Sequence, residues 1–329
     1  MNSPAYAAVD IGGTKVSVAL FDQKLQLLSS DTFPTAGFHC GSLATECHKR
    51  ALQQCEALGA SYDCIHAVGV ASPGPLDLKT GTILHIPTLQ WRDEPLKQYF
   101  EDRFKRRVTV ENDTNAAALG EYRFGAGQGY SSVVYITVST GIGCGIVLGG
   151  RIYDGAADAA GELGHMKVIR GGRPCGCGGR GCLEAHASGR SIGEIASERR
   201  GKFTDARETF RLAREGDLEM LEIIDQAAEA IGYAVSVLYQ ILDPGVVIMG
   251  GSVTRDFDFF GPRIIRAAEE YIQPHPLRQI RIVKSGFDGQ QVLMGAACLA
   301  AETEGRRIHD FPRARFSRSP AAAAGPGAL

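Results

Sequence analysis

Tyr6–Phe21 reads YAAVDIGGTKVSVALF, and Val133–Leu148 reads VVYITVSTGIGCGIVL. In each, an apolar run suited to a buried strand meets a turn of glycine and threonine, then returns as a second apolar run. The first unit is strand Tyr6–Ile11, turn Gly12-Gly13-Thr14-Lys15 and strand Val16–Phe21, with a third run near Gln26–Phe33. The second unit is Val133–Val138, a turn over Ser139–Gly143, and Cys144–Leu148, about 129 residues later. A hairpin of this kind exposes backbone N–H groups and the Thr14 hydroxyl, donors that can hold phosphate. Asp10 ends the first strand, aimed at the same space, and a carboxylate there implies an intervening Mg²⁺. Taken alone, the first unit reads equally as an ordinary hairpin. The repeat argues otherwise: it predicts an internally duplicated α/β fold, with two phosphate turns facing each other across a central cleft. A dinucleotide-binding domain fits worse, because its glycine turn opens into a helix, whereas both turns here lead into strands.

The segment Gly161–Glu184, GELGHMKVIRGGRPCGCGGRGCLE, carries a second kind of chemistry. His165, Cys175, Cys177 and Cys182 offer the imidazole and thiolates that a tetrahedral structural Zn²⁺ prefers. The glycines between Cys175 and Cys182 let a short loop turn back on one ion. The alternative is a set of redox-active or merely structural thiols, but C-x-C-x4-C with a His upstream resembles a ligand set more than a redox pair. Clamping this loop is expected to fix Glu162 and Glu184 beside each other, facing whatever binds there.

Between and beyond these segments the chain alternates strands and helices. Leu43–Leu58 and Glu94–Lys105 have helical spacing; Ile65–Val70 is a buried strand running into Ala71-Ser72-Pro73-Gly74-Pro75, either a pocket-lining loop or a surface turn. Val108–Glu111 is a strand ending in Asn112-Asp113-Thr114-Asn115 before a helix over Ala116–Phe124. Asp113 and Asn112 sit at the carboxyl end of a strand, where open α/β sheets bind ligands. Helix capping is the competing role, and Thr114 or Asn115 can take it and leave Asp113 free. Asp217–Leu242 is a long helix, Val246–Met249 a strand, and Gly250-Gly251-Ser252 a third glycine turn suited to a flat adenine or ribose. Helix Asp258–Tyr271, strand Ile280–Val283 and a small-residue helix Gln291–Ala301 follow, and Arg313–Leu329 has the composition of a disordered tail.

Composition bounds the partners. The 329 residues suit two lobes, and a net charge of −2 with 22% charged residues gives no reason to expect nucleic acid or membrane. With no signal-like N-terminus and nine cysteines, three of them in the loop above, the expectation is a reduced, cytoplasmic protein.

Asp10–Lys15 (DIGGTK), Ser72–Leu76 (SPGPL), Glu111–Gly120 (ENDTNAAALG), Thr140–Gly145 (TGIGCG), Gly161–His165 (GELGH), Cys175–Glu184 (CGCGGRGCLE) and Gly250–Ser252 (GGS) together resemble the ROK family of sugar kinases and sugar-responsive repressors. The resemblance implies a duplicated ribonuclease H-like, actin-like ATPase fold. Its small lobe would span residues 1–117, completed by a helix near 290–303, and its large lobe 118–289. It implies ATP-dependent phosphorylation of a hexose, with glucose the best guess and N-acetylglucosamine or N-acetylmannosamine as alternatives. Asp113 would be the general base. Gly74, Asn112, Glu162, His165 and Glu184 would hold the sugar, with His165 meeting zinc through its other nitrogen. Asp10, Gly12, Gly13, Thr14, Lys15, Thr140 and Gly141 would serve Mg²⁺ and the phosphates, and Gly250 and Gly251 the nucleoside. Family kinases are commonly homodimers. Family repressors carry a DNA-binding domain ahead of the first glycine turn, which here begins at Gly12, so a kinase is expected rather than a non-catalytic regulator. Two departures, Thr114 where Ala is usual and Cys144 where Gly is usual, are expected to touch no catalytic group. A third, His85-Ile86-Pro87-Thr88-Leu89-Gln90-Trp91, lacks the sugar-binding Asn of glucose-specific relatives and offers His85 or Thr88 instead.

Overall fold

In strand β1 (Pro4–Ile11) the side chains alternate between two cores. Ala7, Val9 and Ile11 pack with α1 (Cys40–Ala57), whereas Tyr6 and Ala8 pack with α9 (Gln291–Thr303). Covering both faces with helices is why the central strands read as unbroken apolar runs. The structure is a computed structural model describing residues 3–287 and 289–305. The expected tail at Arg313–Leu329 lies outside the described residues.

Strand β1 pairs antiparallel with β2 (Lys15–Asp22), which pairs with β3 (Leu27–Pro34); on its other side β1 runs parallel to β4 (Ala67–Ser72), and β4 to β8 (Arg107–Asn112). The same plan recurs. Strand β9 (Ser132–Val138) pairs antiparallel with β10 (Ile142–Leu148), then β11 (Arg151–Ile152), and parallel with β12 (Val246–Gly250), then β13 (Ile282–Lys284). The orders β3-β2-β1-β4-β8 and β11-β10-β9-β12-β13 are the duplication that the repeat implied, in the ribonuclease H-like form that the family resemblance implied. The second sheet alternates likewise. Val134, Ile136 and Val138 face the core shared with α7 (Leu218–Ile241) and α8 (Phe257–Tyr271), while Val133 and Tyr135 face α3 (Asp113–Phe124).

Helix α3 joins the halves. Its Ala116 and Leu119 belong to one core and Ala117 and Ala118 to another, so residues 117 and 118 lie inside a helix both sheets share. Helix α9 crosses it closely because side chains at Gly120 and Gly295 would strike backbone of the opposite helix. Several boundaries differ from expectation. Helix α2 (Leu96–Phe104) starts later than Glu94, because Trp91–Glu94 forms β7 of a small sheet with β5 (Leu76–Asp77) and β6 (Thr82–Ile86). Alternation was too short there to announce a strand. Strand β13 begins at Ile282, not Ile280. Short helices α4 (Glu184–Ala187), α5 (Gly189–Arg200) and α6 (Ala206–Arg214) complete the large lobe. No helix among the described residues is long and apolar enough to cross a membrane.

Candidate active site

The parallel strands of the first sheet end nearly level, Asp10 pairing with Ala71 and Ser72 with Asn112. This is the carboxyl edge at which open α/β sheets bind ligands. Asn112 closes β8 and caps α3, its Oδ1 accepting from the N–H groups of Thr114 (2.9 Å) and Asn115 (3.4 Å). The expected cap at Thr114 or Asn115, with a helix from Ala116, is therefore corrected: the helix begins at Asp113. An Asn at that position reaches the N–H groups two and three residues on, an interaction that stabilises by about 1 kcal/mol. Its Nδ2 remains, facing Gly74 in the loop after β4.

Asp113 thus stands in the first turn of α3, where the helix dipole favours a carboxylate. Its surface is partly accessible, yet protein surrounds it, and burial pushes its carboxyl above the usual range. Hydrogen bonds from Thr114 pull it back down, including one from Oγ1 to Asp113 Oδ1 at 3.1 Å. The expectation that Thr114 touches none of the candidate catalytic groups fails, since it bonds to Asp113. Asp10 is pushed up to about 7, first by burial and then by Asp113, with Lys15 opposing. Asp10 thus senses the neighbouring Asp113, and a divalent cation held there would keep both ionised.

Strand β10 is the common backing of the site. Side chains at Gly141, just before the strand, and at Gly143 and Gly145 within it would collide with Glu184, with Thr114 Oγ1 and with the Thr114 carbonyl, respectively. Alternate positions share a face, so the glycines strip one face of β10 and let the start of α3 and Glu184 lie against its backbone. Glu184 Oε2 accepts the Ile142 N–H at 3.0 Å. Gly161 and Gly164 lie against the carbonyls of Cys144 and Ile142. Glu162 is largely exposed, with Oε2 3.8 Å from His165 Nε2.

His165 turns its other nitrogen, Nδ1, toward Cys175 Sγ at 3.7 Å, while Cys177 Sγ lies 3.6 Å from Cys182 Sγ. One ligand atom from each of the four falls within 4.8 Å of the others. A tetrahedral zinc with bonds of about 2.3 Å sets its thiolates about 3.8 Å apart, so the donor set fits that ion. A disulfide requires about 2.05 Å, and all nine cysteines are free. The loop is a small ribbon in its own right, Val168 N–H donating to Gly181 at 2.9 Å and Leu183 N–H to Met166 at 2.9 Å. Lys167 Nζ lies 2.7 Å from Cys182 Sγ, where it would offset the charge of thiolates bound to such an ion.

The two glycine turns occupy opposite halves. In the first, Gly12 N–H donates to Lys15 O at 2.9 Å, so its donor closes the hairpin and Gly13, Thr14 and Lys15 form the exposed tip. In the second, Thr140 is exposed beside a cavity of about 440 Å³ that Arg190, Arg207, Phe210 and Ser252 also line. Gly250 and Gly251 have packing reasons for being glycine, against Tyr135 and the Val138 carbonyl. Arg190, Arg207 and Phe210 escaped the sequence reading. The readable signal was Ser188, whose Oγ accepts the Ser191 N–H at 3.2 Å and so places Arg190 in the first turn of α5.

Residues 6–303 match the ROK family. A glucokinase of Halalkalibacterium halodurans is 35% identical over 307 residues, covering 88% of this chain and 93% of its own. The crystal structure of a ROK hexokinase from Thermus thermophilus superposes with a TM-score of 0.82 at 36% identity, covering 93% of this chain and 100% of its own. A ROK family glucokinase from Streptomyces griseus, in complex with glucose and AMPPNP, gives a TM-score of 0.75 at 32% identity over 90% of this chain and 99% of its own. This duplicated scaffold, matched to the family along nearly its whole described length, belongs to the ROK family.

Proposed function

We propose that this chain is an ATP-dependent hexose kinase that phosphorylates the 6-hydroxyl, with glucose its best substrate and Asp113 its general base. The observation that carries this reading is the bare face of β10, which brings the Asp113–Thr114 junction, Glu184 and the Thr140–Gly141 turn onto one strand. In the reaction, Asp113 accepts the proton of the attacking hydroxyl while Asn112 Nδ2, Glu162, Glu184 and His165 Nε2 orient the ring. Positioned proton transfer contributes about 10²- to 10⁴-fold, and alignment of the phosphates the rest. Gly13, Thr14 and Lys15 address the phosphates from one side and Thr140 and Gly141 from the other. The cavity beside Thr140 takes the nucleoside, with Arg190 and Arg207 adding positive charge. Mg²⁺ held from Asp10, through water, would neutralise phosphate charge. Zn²⁺ bound by His165 Nδ1, Cys175, Cys177 and Cys182 would fix the sugar-facing loop and take no part in the chemistry.

A second reading, an N-acetylglucosamine or N-acetylmannosamine kinase, is favoured by one detail. Thr88 brings its hydroxyl to 3.9 Å from where a Cβ at Gly13 of the phosphate turn would stand, and it is shorter than the Asn that the family resemblance leads one to expect in this segment. Association as a homodimer is part of the same proposal. Ile169, Tyr233 and Tyr271 are 46%, 39% and 43% exposed, and they line one apolar hollow beside the zinc loop. Sedimentation of the purified chain measures it.

Initial rates across a panel of glucose, mannose and the N-acetylated hexoses test the activity; no turnover of any of them ends the kinase reading. Asp113→Asn is expected to lower kcat by at least about 100-fold with modest change in sugar KM. Near-normal kcat in that variant removes Asp113 from its role.

A further inference from the structure

The hydroxyl beside the base has no part in the reaction as described so far. Thr114 is 8% exposed, and its N–H is held by the Asn112 cap. Its Oγ1 donates to Asp113 Oδ1 at 3.1 Å and faces Gly143 of β10, where any side chain would collide with it. Its carbonyl lies against Gly145 of the same strand. The side chain is therefore wedged between the base and a strand cleared of side chains to receive it.

We propose that Thr114 is a positioning residue for phosphoryl transfer: by occupying Oδ1 of Asp113 it fixes the plane of the carboxylate and leaves Oδ2 to receive the sugar proton. The inference rests on the proposed role of Asp113 as base. The physical need is plain. An ionised carboxylate accepts through either oxygen, and its terminal torsion is broad, so an unheld Asp samples many orientations. Proton abstraction requires one oxygen within hydrogen-bond reach of the hydroxyl, and small misplacements of a reacting group are costly. Because Thr114 rests on the strand that leaves the Thr140–Gly141 turn, the orientation of the base is also referred to the strand that carries the phosphate turn.

Steady-state kinetics of Thr114→Ala, Thr114→Val and Thr114→Ser on the best hexose test this, with melting temperature measured alongside. Val keeps the shape of Thr without its hydroxyl, so it serves where Ala disturbs folding. The expected result is a fall of about tenfold in kcat for Ala and Val, with sugar KM little changed, and recovery of most of that rate in Ser. In an Asp113→Asn background the same Ala substitution is expected to cost nothing further, since the hydroxyl acts through the carboxylate. Wild-type kcat in both Ala and Val, or a Ser variant as slow as they are, overturns the proposal, while a strongly slowed Asp113→Asn leaves the base reading standing. A lowered melting temperature with unchanged kcat also overturns it, as the mark of a purely structural contact. If Asp113→Asn itself turns over normally, the base reading fails and this proposal with it.

Discussion

The turn after β1 and the turn after β9 share a plan and differ in what holds them. In the small lobe Ile11 pairs with Val16 around residues 12–15, and the supports are local. Thr35 donates its hydroxyl to the Gly12 carbonyl at 2.7 Å, and its N–H to Thr14 O at 3.1 Å. In the large lobe Val138 pairs with Ile142 around residues 139–141, and the supports come from far along the chain. Gly189 N–H donates to Ser139 O at 2.7 Å, Ser252 Oγ lies 3.0 Å from Ser139 Oγ, and Glu184 holds the Ile142 N–H. The strand positions before the turns differ as well: Asp10 in one lobe, Thr137 in the other. The two hairpins therefore share a strand plan, with turns of four and three residues, and the side chains around them differ in what they supply. One turn follows Asp10, an acid suited to a cation; the other is braced by the element that carries Glu184, the carboxylate proposed to face the sugar.

That division can be broken experimentally. The largest effect is expected from Asp10→Asn, with kcat reduced by about 100-fold or more and hexose affinity retained, since a single preorganised electrostatic group is worth that much. Unchanged kcat at saturating Mg²⁺ and ATP would abolish the asymmetry assigned to Asp10. Next, elemental analysis should find one zinc per chain, lost in Cys177→Ser together with at least about tenfold in kcat/KM for the hexose, as removal of an outer support for a bound group does elsewhere. Full activity in metal-free protein would contradict the supporting role of the loop. Glu184→Ala is expected to raise KM for hexose and ATP together by about tenfold, because one carboxylate serves both the sugar side and the phosphate turn. An effect on hexose alone would separate the two.

The smallest effect is on stability. Glu111, buried on β8 and accepting from Asn112 N–H (2.8 Å) and Asn115 Nδ2 (3.1 Å), is pushed up to about 7 by burial first and by Asp154 second. Between the ordinary carboxylate range and about pH 7, the folded chain holds a proton there that the unfolded chain has lost. Stability from this group is therefore full below about pH 4 and falls as pH rises through 7. Glu111→Gln should remove that fall, gaining about 1–3 kcal/mol over the wild type at pH 8 relative to pH 4 in denaturant melts. A constant difference across pH would mean that Glu111 titrates normally.

Much of this is legible in the sequence. Two copies of a strand, glycine turn and strand, too far apart to be one hairpin, imply two sheets, because each apolar run must be buried in its own layer. Ligand chemistry at His165, Cys175, Cys177 and Cys182 follows from residue type and spacing, since so short a loop leaves the four little room to separate. The small sheet of β5, β6 and β7 was not legible, because its strands are too short to show alternation.

What the sequence determined by itself is the set of local facts: which runs are buried, where the chain must turn, and which donors share a loop. What only the tertiary structure decided is which of those pieces meet. Thr114 touching both Asp113 and the bare face at Gly143, Glu184 reaching Ile142, and Arg190 and Arg207 lining one cavity with Thr140 all depend on strand register and helix placement. Those are set by packing between segments distant along the chain, and no residue-by-residue pattern records them.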